Sequence, residues 1–218
     1  LGGGVNYSYY HSDAISSVKI ETPLSVVERL PLPHSGQSYS ANARFSKGYD
    51  WLSLSVSGDA ALGQSEGKSY LQDKLLGYTS QWVNASAKCT LKPIEWLSME
   101  YNISWGLHRS RREGTAWFTP IQNLSHKVIS HVNVLKDVAI KLTAEHYYND
   151  AVTKGRHFTL ADLGLSYTWK KVRLSLDWTN ILDARLYSTA SISDLTASYS
   201  YYDIRPSAIM LKARLKLF

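Results

Sequence analysis

The chain has 218 residues, of which 19% are charged, and it carries a formal net charge of +6. That length suits a single domain, and no apolar run approaches the about 18 residues that a transmembrane helix requires. The basic residues are scattered and form no aromatic-basic motif, which argues against nucleic acid as a partner, and the lone Cys89 excludes an internal disulfide.

Apolar and polar side chains alternate along most of the chain, and a period of two predicts β-strands. The stretch 172–179 reads Val-Arg-Leu-Ser-Leu-Asp-Trp-Thr, so one side of that strand is apolar and the other is polar. In chain order, the predicted strands are a first one at 5–9 and then 39–45, 52–62, 83–91, 97–107, 124–134, 138–148, 161–169, 172–178 and 209–217. None of the positions on the apolar side of these strands is Lys, Arg, Asp or Glu.

The connections between the predicted strands alternate between short and long. Tight turns are predicted at 48–50, 92–94, 135–137 and 170–171, and long loops at roughly 11–37, 63–77, 108–121, 149–157 and 181–204. Outer-membrane barrels have short turns on the periplasmic side and long loops outside. Their strands need about nine to eleven residues, whereas strands of soluble proteins usually have about five or six.

Aromatic residues on the apolar side lie near the strand ends, where a membrane interface would be. The end with tight turns has Phe45, Tyr167 and Trp169, and the other end has Tyr39, Trp105, Tyr148 and Trp178. With the strand lengths and the loop alternation, this pattern predicts an all-β fold, a transmembrane antiparallel β-barrel to which this chain contributes about ten strands. A soluble β-sandwich or lipocalin-like barrel also alternates and is the alternative fold.

Charged side chains on the polar side of the strands are expected to form a hydrated wall, in which opposite charges pair across strands. The acidic ones are Asp59, Glu100, Glu145, Asp162 and Asp177, and the basic ones are Arg44, Lys88, Lys127, Lys141, Arg173 and Arg214. Structural pairing is a commoner role for such charges than catalysis.

The last forty or so residues resemble a known family. An apolar strand leads into the step Asn180-Ile181-Leu182-Asp183, and a long loop then reaches Tyr-Tyr-Asp-Ile-Arg-Pro at 201–206 before the final strand. These features resemble the penultimate-strand signature and final strand of TonB-dependent outer-membrane receptors, most of all those of the Bacteroidetes branch. Two departures stand out. The family usually has Phe where Leu182 stands, and Phe218 is out of phase with the apolar positions of the last strand.

The resemblance implies a plugged barrel of about twenty-two strands, of which this chain, 1–218, is the C-terminal portion. It implies import of a nutrient (glycan, peptide or metal chelate) across the outer membrane of a Gram-negative bacterium, with no enzymatic activity and no cofactor. The expected partners are the lipid bilayer with its lipopolysaccharide, the remaining strands and plug of the same receptor, the energy-coupling protein TonB acting through the plug, and a surface lipoprotein that captures substrate. No signal peptide, plug or energy-coupling box is recognised in the sequence.

Motifs for catalysis are missing, since there is no nucleotide loop, zinc spacing or nucleophile elbow. The candidate ligand-binding residues are aromatic side chains of the predicted external loops, which could stack on a sugar or a peptide: Trp117, Phe118, Tyr199, Tyr201 and Tyr202. His126 and His146 could share a metal ion, although ordinary interface histidines are the expectation. A self-contained ten-stranded barrel that acts as a protease, or as a structural or adhesion protein, is the alternative function.

Overall fold

The structure, a computed structural model, describes residues 1–21, 24–50, 53–71, 73–193 and 196–215. Its strands are β1 (Gly2–Ser12), β2 (Ile15–Glu21), β3 (Leu24–Leu30), β4 (His34–Tyr49), β5 (Leu54–Leu71), β6 (Lys74–Ile94), β7 (Leu97–Arg112), β8 (Ile121–Leu135), β9 (Val138–Asn149), β10 (His157–Trp169), β11 (Val172–Thr179), β12 (Leu186–Ser193), β13 (Thr196–Asp203) and β14 (Ala208–Leu215). The described residues contain no helix that is long and apolar enough to cross a membrane. The predicted all-β class is confirmed.

All ten predicted strands are present, as β1, β4 to β11 and β14. Leu52 and residues 216–217, which belong to two of the predicted strands, lie outside the described residues. The tight turns at 135–137 and 170–171 are confirmed, because β8 and β9, and likewise β10 and β11, are joined by two residues. The alternation of side chains was therefore enough to locate the strands that build the main sheet.

Four segments predicted as long loops contain strand residues instead, and one of them, 108–121, does so at residues 108–112 of β7. Segment 11–37 holds the hairpin β2–β3, whose Ile, Val and Leu residues favour strands, and segment 181–204 holds the hairpin β12–β13. In segment 63–77, residues 63–71 belong to β5 and residues 74–77 to β6, and both stretches are part of the pairing between β5 and β6. These loop predictions were wrong because alternation reveals a strand only where one side is apolar. Beyond such a region, strands can be polar on both sides and still be held by backbone hydrogen bonds.

The main sheet is antiparallel, in the order β1-β4-β5-β6-β7-β8-β9-β10-β11-β14, and the hairpin β2–β3 attaches to β5. Strands β12 and β13 form a separate two-stranded sheet. The order ends at β1 and β14, and no pairing joins these two strands in the described part of the chain, so the sheet is open there. We call the end of the sheet with the turns after β8 and β10 the short-turn end, and the opposite end the long-loop end.

The strand register places the predicted apolar positions opposite one another. Leu176 of β11 lies opposite Leu165 of β10 on one side and Leu211 of β14 on the other. In the other half of the sheet, Val83 of β6 lies opposite Leu107 of β7. One side of the sheet, here called the apolar face, therefore carries the apolar residues of all ten strands, and the other side is the polar face.

The apolar face is not buried against any other layer. Among the described residues, the buried hydrophobic side chains are Ile15, Ile121, Val152, Phe158 and Ala190. Large side chains of the apolar face are exposed instead, at 73% for Leu211 and 59% for Trp169. The chain exposes 14811 Å², whereas a compact protein of this mass exposes about 10,000 Å². A stable fold in its working environment therefore requires an apolar cover over this face.

Candidate ligand-binding cleft on the polar face

Two rows of mostly uncharged side chains cross the polar face near the long-loop end. In the first row, the register aligns Asn84 of β6, Gly106 of β7, Asn123 of β8 and Asn149 of β9. In the second row, it aligns Asp59, Ser86, Ser104, Ser125, Tyr147 and Phe158 on successive strands. Amide and hydroxyl groups thus predominate on this part of the wall.

Closer to the short-turn end, the polar face carries ion pairs. Lys88 Nζ lies 2.8 Å from Glu100 Oε2, and Lys127 Nζ lies 2.6 Å from Glu145 Oε1. These pairs join β6 to β7 and β8 to β9, so the predicted pairing of opposite charges across strands is confirmed at both places. The polar face is therefore divided into a charged zone nearer the short-turn end and a mostly neutral zone nearer the long-loop end.

The hairpin β12–β13 folds over the neutral zone. Asn149 Nδ2 donates a hydrogen bond of 2.9 Å to the backbone carbonyl of Ala190 in β12. The ring of Tyr187 packs against the rings of Tyr147 and Phe158, at centroid distances of 5.6 and 5.1 Å. Aromatic pairs at such distances are attractive beyond their buried area, so they hold the hairpin against the wall.

A small apolar cluster supports the base of the hairpin. Ile121 at the start of β8, Val152 of the loop 150–156 and Ala190 of β12 pack together and are buried. Asn149 secures the same loop, because its Oδ1 accepts the Ala151 N–H at 3.0 Å. The segment predicted as a loop at 149–157 is a loop here, and it is folded against the wall rather than free in solution.

The segment 180–183, which carries the resemblance, begins the connection that contains the hairpin β12–β13. Asn180 is buried, with φ of 51°, a conformation that Asn tolerates better than most residues. Its Oδ1 accepts the Ala184 N–H, and its Nδ2 donates to the carbonyls of Ala184 and Arg205. Its own N–H donates to Asp162 Oδ1 of β10 at 2.7 Å. One side chain thus fastens the start of the connection to its end, next to the wall.

Asp183 provides a second fastening. Its Oδ1 accepts the Ser207 N–H at 2.9 Å, and its Oδ2 accepts from Arg185 Nη2 at 2.7 Å. The hydrogen bond from the Ser207 backbone, followed by the one from Arg185, lowers the pKa of Asp183 below its ordinary value, because both stabilise the ionised carboxylate. Trp178 Nε1 donates to Ser207 Oγ at 2.9 Å, which connects this fastening to β11.

Between the hairpin and the neutral zone lies a cleft of about 470 Å³. Asn84 and Asn123 contribute amides to it, and Tyr187 contributes an aromatic ring. Among the described residues that line it there is no Asp, Glu or Lys, and the Nε of its one cation, Arg156, donates to the Val152 carbonyl at 2.9 Å. A pocket with neutral hydrogen-bonding groups and an aromatic surface suits a ligand rich in hydroxyl or amide groups.

None of the five predicted ligand-binding aromatics is among the described residues that line this cleft. Trp117, in the loop after β7, lies against the guanidinium groups of Arg109 and Arg111, with 4.4 and 4.7 Å between each Cζ and the ring centroid. Side chains of a strand alternate between its two sides, so these arginines, two and four residues after Leu107, are on the apolar face. Trp117 is therefore on that side of the sheet. Phe118 is exposed, and its N–H donates to the Ser110 carbonyl at 2.9 Å.

The three tyrosines are on β13. Tyr199 and Tyr201 are exposed. Tyr202 stacks on Tyr187 at 5.9 Å and is thereby connected to the cleft. Sequence reasoning missed Tyr187 itself, although it precedes the tyrosine-rich strand by few residues. It also missed Asn84 and its row, whose signal was a set of uncharged residues on the polar side of four predicted strands, near their long-loop ends.

Three histidines on neighbouring strands form a row on the apolar face. His126, His146 and His157 belong to β8, β9 and β10, and successive ring centroids are 5.8 and 5.5 Å apart. Tyr101 Oη lies 2.7 Å from His126 Nδ1, and His146 Nε2 lies 3.2 Å from His157 Nδ1. The part of the chain that the structure describes holds no group of three or more metal-ligating side chains arranged for an ion. The contacts of these histidines are with one another and with tyrosine.

Comparisons with protein-family models, with curated proteins and with solved structures each found no match. The features of the molecule that bear on function are therefore the two faces of the sheet, the cleft and the resemblance carried by residues 176–218.

Proposed function

We propose that this chain is part of the barrel wall of a TonB-dependent receptor, which imports a nutrient across the outer membrane of a Gram-negative bacterium. The observation that carries the proposal is the exposed apolar face, which extends across ten strands. Lipid provides an apolar cover for such a face, whereas contact with water is unfavourable by about 25 cal/mol for each Å². The antiparallel order, with tight turns at one end and longer connections at the other, supports the same environment.

The open edges support a larger barrel. In lipid, β1 and β14 would each leave a row of unpaired backbone groups, and each such group costs several kcal/mol. We propose that these strands pair with further strands of the same receptor and close a barrel of about twenty-two strands around a plug. TonB would act on that plug, and a surface lipoprotein would deliver the substrate from outside.

Cysteine pairs test which strands close the barrel. With Cys89→Ala in the background, one cysteine is placed within 4–9 and one within 209–215, in the receptor in its native membrane. We expect no disulfide between these segments, while a control pair at Tyr7 and Tyr39, which lie opposite one another in β1 and β4, should cross-link. Efficient joining of β1 to β14 in a monomer would instead support the self-contained ten-stranded protease, structural or adhesion barrel.

The cleft would lie on the lumen side of the wall, on the path of the substrate. Its lining, neutral apart from Arg156, favours a glycan or an uncharged peptide segment over a highly charged metal chelate, because several charges would find a single counter-charge there. Tyr187, with Tyr202 stacked on it, offers an aromatic surface for a sugar ring or a peptide side chain. Trp117, Phe118, Tyr199 and Tyr201 stay candidates for contacts outside the cleft.

Growth of a gene-disruption strain on neutral glycans, peptides and metal chelates tests the proposal. We expect loss of growth on one of these classes, and the same loss in a strain without TonB. Tyr187→Ala should reduce uptake with an unchanged amount of receptor in the outer membrane, and Tyr201→Ala tests whether the exposed side of the hairpin also contributes. Undiminished growth of the disruption strain on every nutrient of the panel would contradict import.

A further inference from the structure

The apolar face changes character abruptly at the long-loop end. Leu62, Val83 and Leu107 form its last apolar row, and the next row along the same strands consists of Gln64, Gln81 and Arg109. These polar side chains are joined, because Gln81 Nε2 donates to Gln64 Oε1 at 2.6 Å, and Arg109 Nη2 donates to Gln81 Oε1 at 2.8 Å. The boundary is thus a hydrogen-bonded row that follows the edge of the apolar surface.

Two arginines and one tryptophan extend this boundary. Arg109 and Arg111 are on the same side of β7, and each guanidinium lies over the ring of Trp117. Because each Cζ is within 5 Å of the same centroid, the two positive charges are held close together. Cation–π contact offsets part of the repulsion between them, but two like charges at one ring form a local positive potential that favours an anion.

Most of the donor groups of this pair are available. Arg109 uses Nε and Nη2 on Gln81, and within the described residues no side-chain acceptor is in hydrogen-bond contact with Arg111. Two carboxylates line the same pocket as Arg111. Glu66, two strands away, accepts from Gln37 and Gln64. Glu113, two residues along the chain, lies over Gly77 of β6, and neither forms an ion pair with Arg109 or Arg111 in the described part of the chain. A guanidinium has five N–H groups in a planar fork that matches an oxygen anion, so the pair can bind a phosphate.

The distance of Arg109 and Arg111 from the edge of the apolar band indicates the source of that phosphate. Arg109 and Arg111 follow the last apolar residue, Leu107, by two and four positions. With a rise of about 3.4 Å per residue and a strand tilt of about 40°, they lie roughly 5 and 10 Å beyond the apolar band. The polar headgroup layer of one leaflet is about 5–7 Å thick. If the apolar face contacts lipid, the backbone of Arg109 is at the level of the headgroups and that of Arg111 is beyond them, from where its long side chain can reach back to them.

We infer that Arg109 and Arg111, held by Trp117, form a binding site for the phosphate of an outer-leaflet lipid headgroup. The inference goes beyond import and rests on the proposed membrane environment of the apolar face. The phosphate would accept hydrogen bonds from Arg111 and from the unused Nη1 of Arg109, while the acyl chains of the same lipid cover the apolar row of Leu107. The site would fix the height of the wall in the bilayer.

Arg112 offers a matched control. It is the next residue of the same strand and is exposed like the pair, but it lies on the opposite side of the sheet, opposite Tyr78 of β6. Receptor with Arg109→Gln and Arg111→Gln, and receptor with Arg112→Gln, are extracted from outer membranes in mild detergent. The phosphorylated lipid that remains bound is then counted by native mass spectrometry, and diphosphoryl lipid A is added back to measure affinity.

We expect the double variant to bind lipid A roughly thirtyfold more weakly, the factor for removing two arginines from an anionic surface, and Arg112→Gln to bind as the parent does. Arg109→Lys with Arg111→Lys should restore part of the binding, and dephosphorylated lipid A should not discriminate between the proteins. Equal binding by the parent and the double variant would overturn the inference. So would displacement of the lipid by millimolar inorganic phosphate, which would identify a free-anion site. Absence of the parent from the outer membrane would refute the proposed location as well as the site.

Discussion

The two faces of the main sheet are built from the same strands and differ completely in chemistry. On β11, Leu176 has Leu165 and Leu211 as its neighbours, while the adjacent residue, Ser175, has Ser166 and Lys212. The polar face carries ion pairs and a folded-in hairpin, and the apolar face carries exposed leucine, valine and aromatic side chains. A period of two thus gives one short sequence two chemically different faces.

The largest expected effect is produced by a charge on the apolar face. Leu176→Arg should lower the free energy of unfolding from a bilayer by roughly 2–4 kcal/mol if the residue lies near the midplane, because the guanidinium would displace lipid contact. Ser175→Arg is the matched control, since it places the same side chain one residue away on the polar face. Denaturant titration of membrane-inserted protein measures both. Equal losses for the two variants would mean that the faces are not in different environments.

The second effect concerns Asn180, whose side chain joins the two ends of the connection that contains the hairpin on the polar face. Asn180→Ala removes three side-chain hydrogen bonds at a buried position, and we expect a loss of roughly 1–3 kcal/mol because buried backbone groups lose their partners. The hairpin 186–203 should then become more accessible to protease, while the main sheet remains folded. Thr179→Ala, at the neighbouring position on the strand, is the control. An unchanged rate of cleavage in Asn180→Ala would show that other contacts position the hairpin.

The third effect is the coupling of a charge pair on the polar face. A double-mutant cycle with Lys127→Met and Glu145→Gln should give a coupling of about 0.2–1 kcal/mol, as for other partly exposed pairs, and the coupling should decrease at high salt. Such a value would agree with a hydrated wall. A coupling of several kcal/mol that does not respond to salt would instead indicate that the polar face is dry.

The smallest effect is a pH dependence at Asp183. Its pKa is lowered in the folded state, so its contribution to holding the hairpin is present above the ordinary value of an aspartate, about 3.9, and is lost as the pH falls through the lower folded value. The hydrogen-exchange protection factors of residues 186–203, which are corrected for the intrinsic pH dependence of exchange, should therefore fall in acid in the parent and less so in Asp183→Asn. The same fall in both proteins would assign the pH dependence to other groups.

The strands of the main sheet could be predicted because one of their sides is apolar, and β11 is the clearest case. The hairpin β12–β13 could not be predicted in this way, since Tyr187 is held by Tyr147 and Phe158, contacts between residues far apart in the chain. The resemblance drew attention to Asn180, but the sequence does not reveal that its amide joins the two ends of the connection. The cleft depends on both of these long-range arrangements, and its residues were therefore missed.

The measurement that tests the central claim most directly is a cysteine scan of residues 172–179 in native outer membranes, with Cys89→Ala in the background. Each cysteine carries a fluorophore, and quenching by nitroxide-labelled lipid is compared with quenching by iodide in water. We predict alternation: positions 172, 174, 176 and 178 quenched by lipid, and positions 173, 175, 177 and 179 quenched by iodide. Uniform quenching by iodide at all eight positions would contradict the assignment of the apolar face to the membrane.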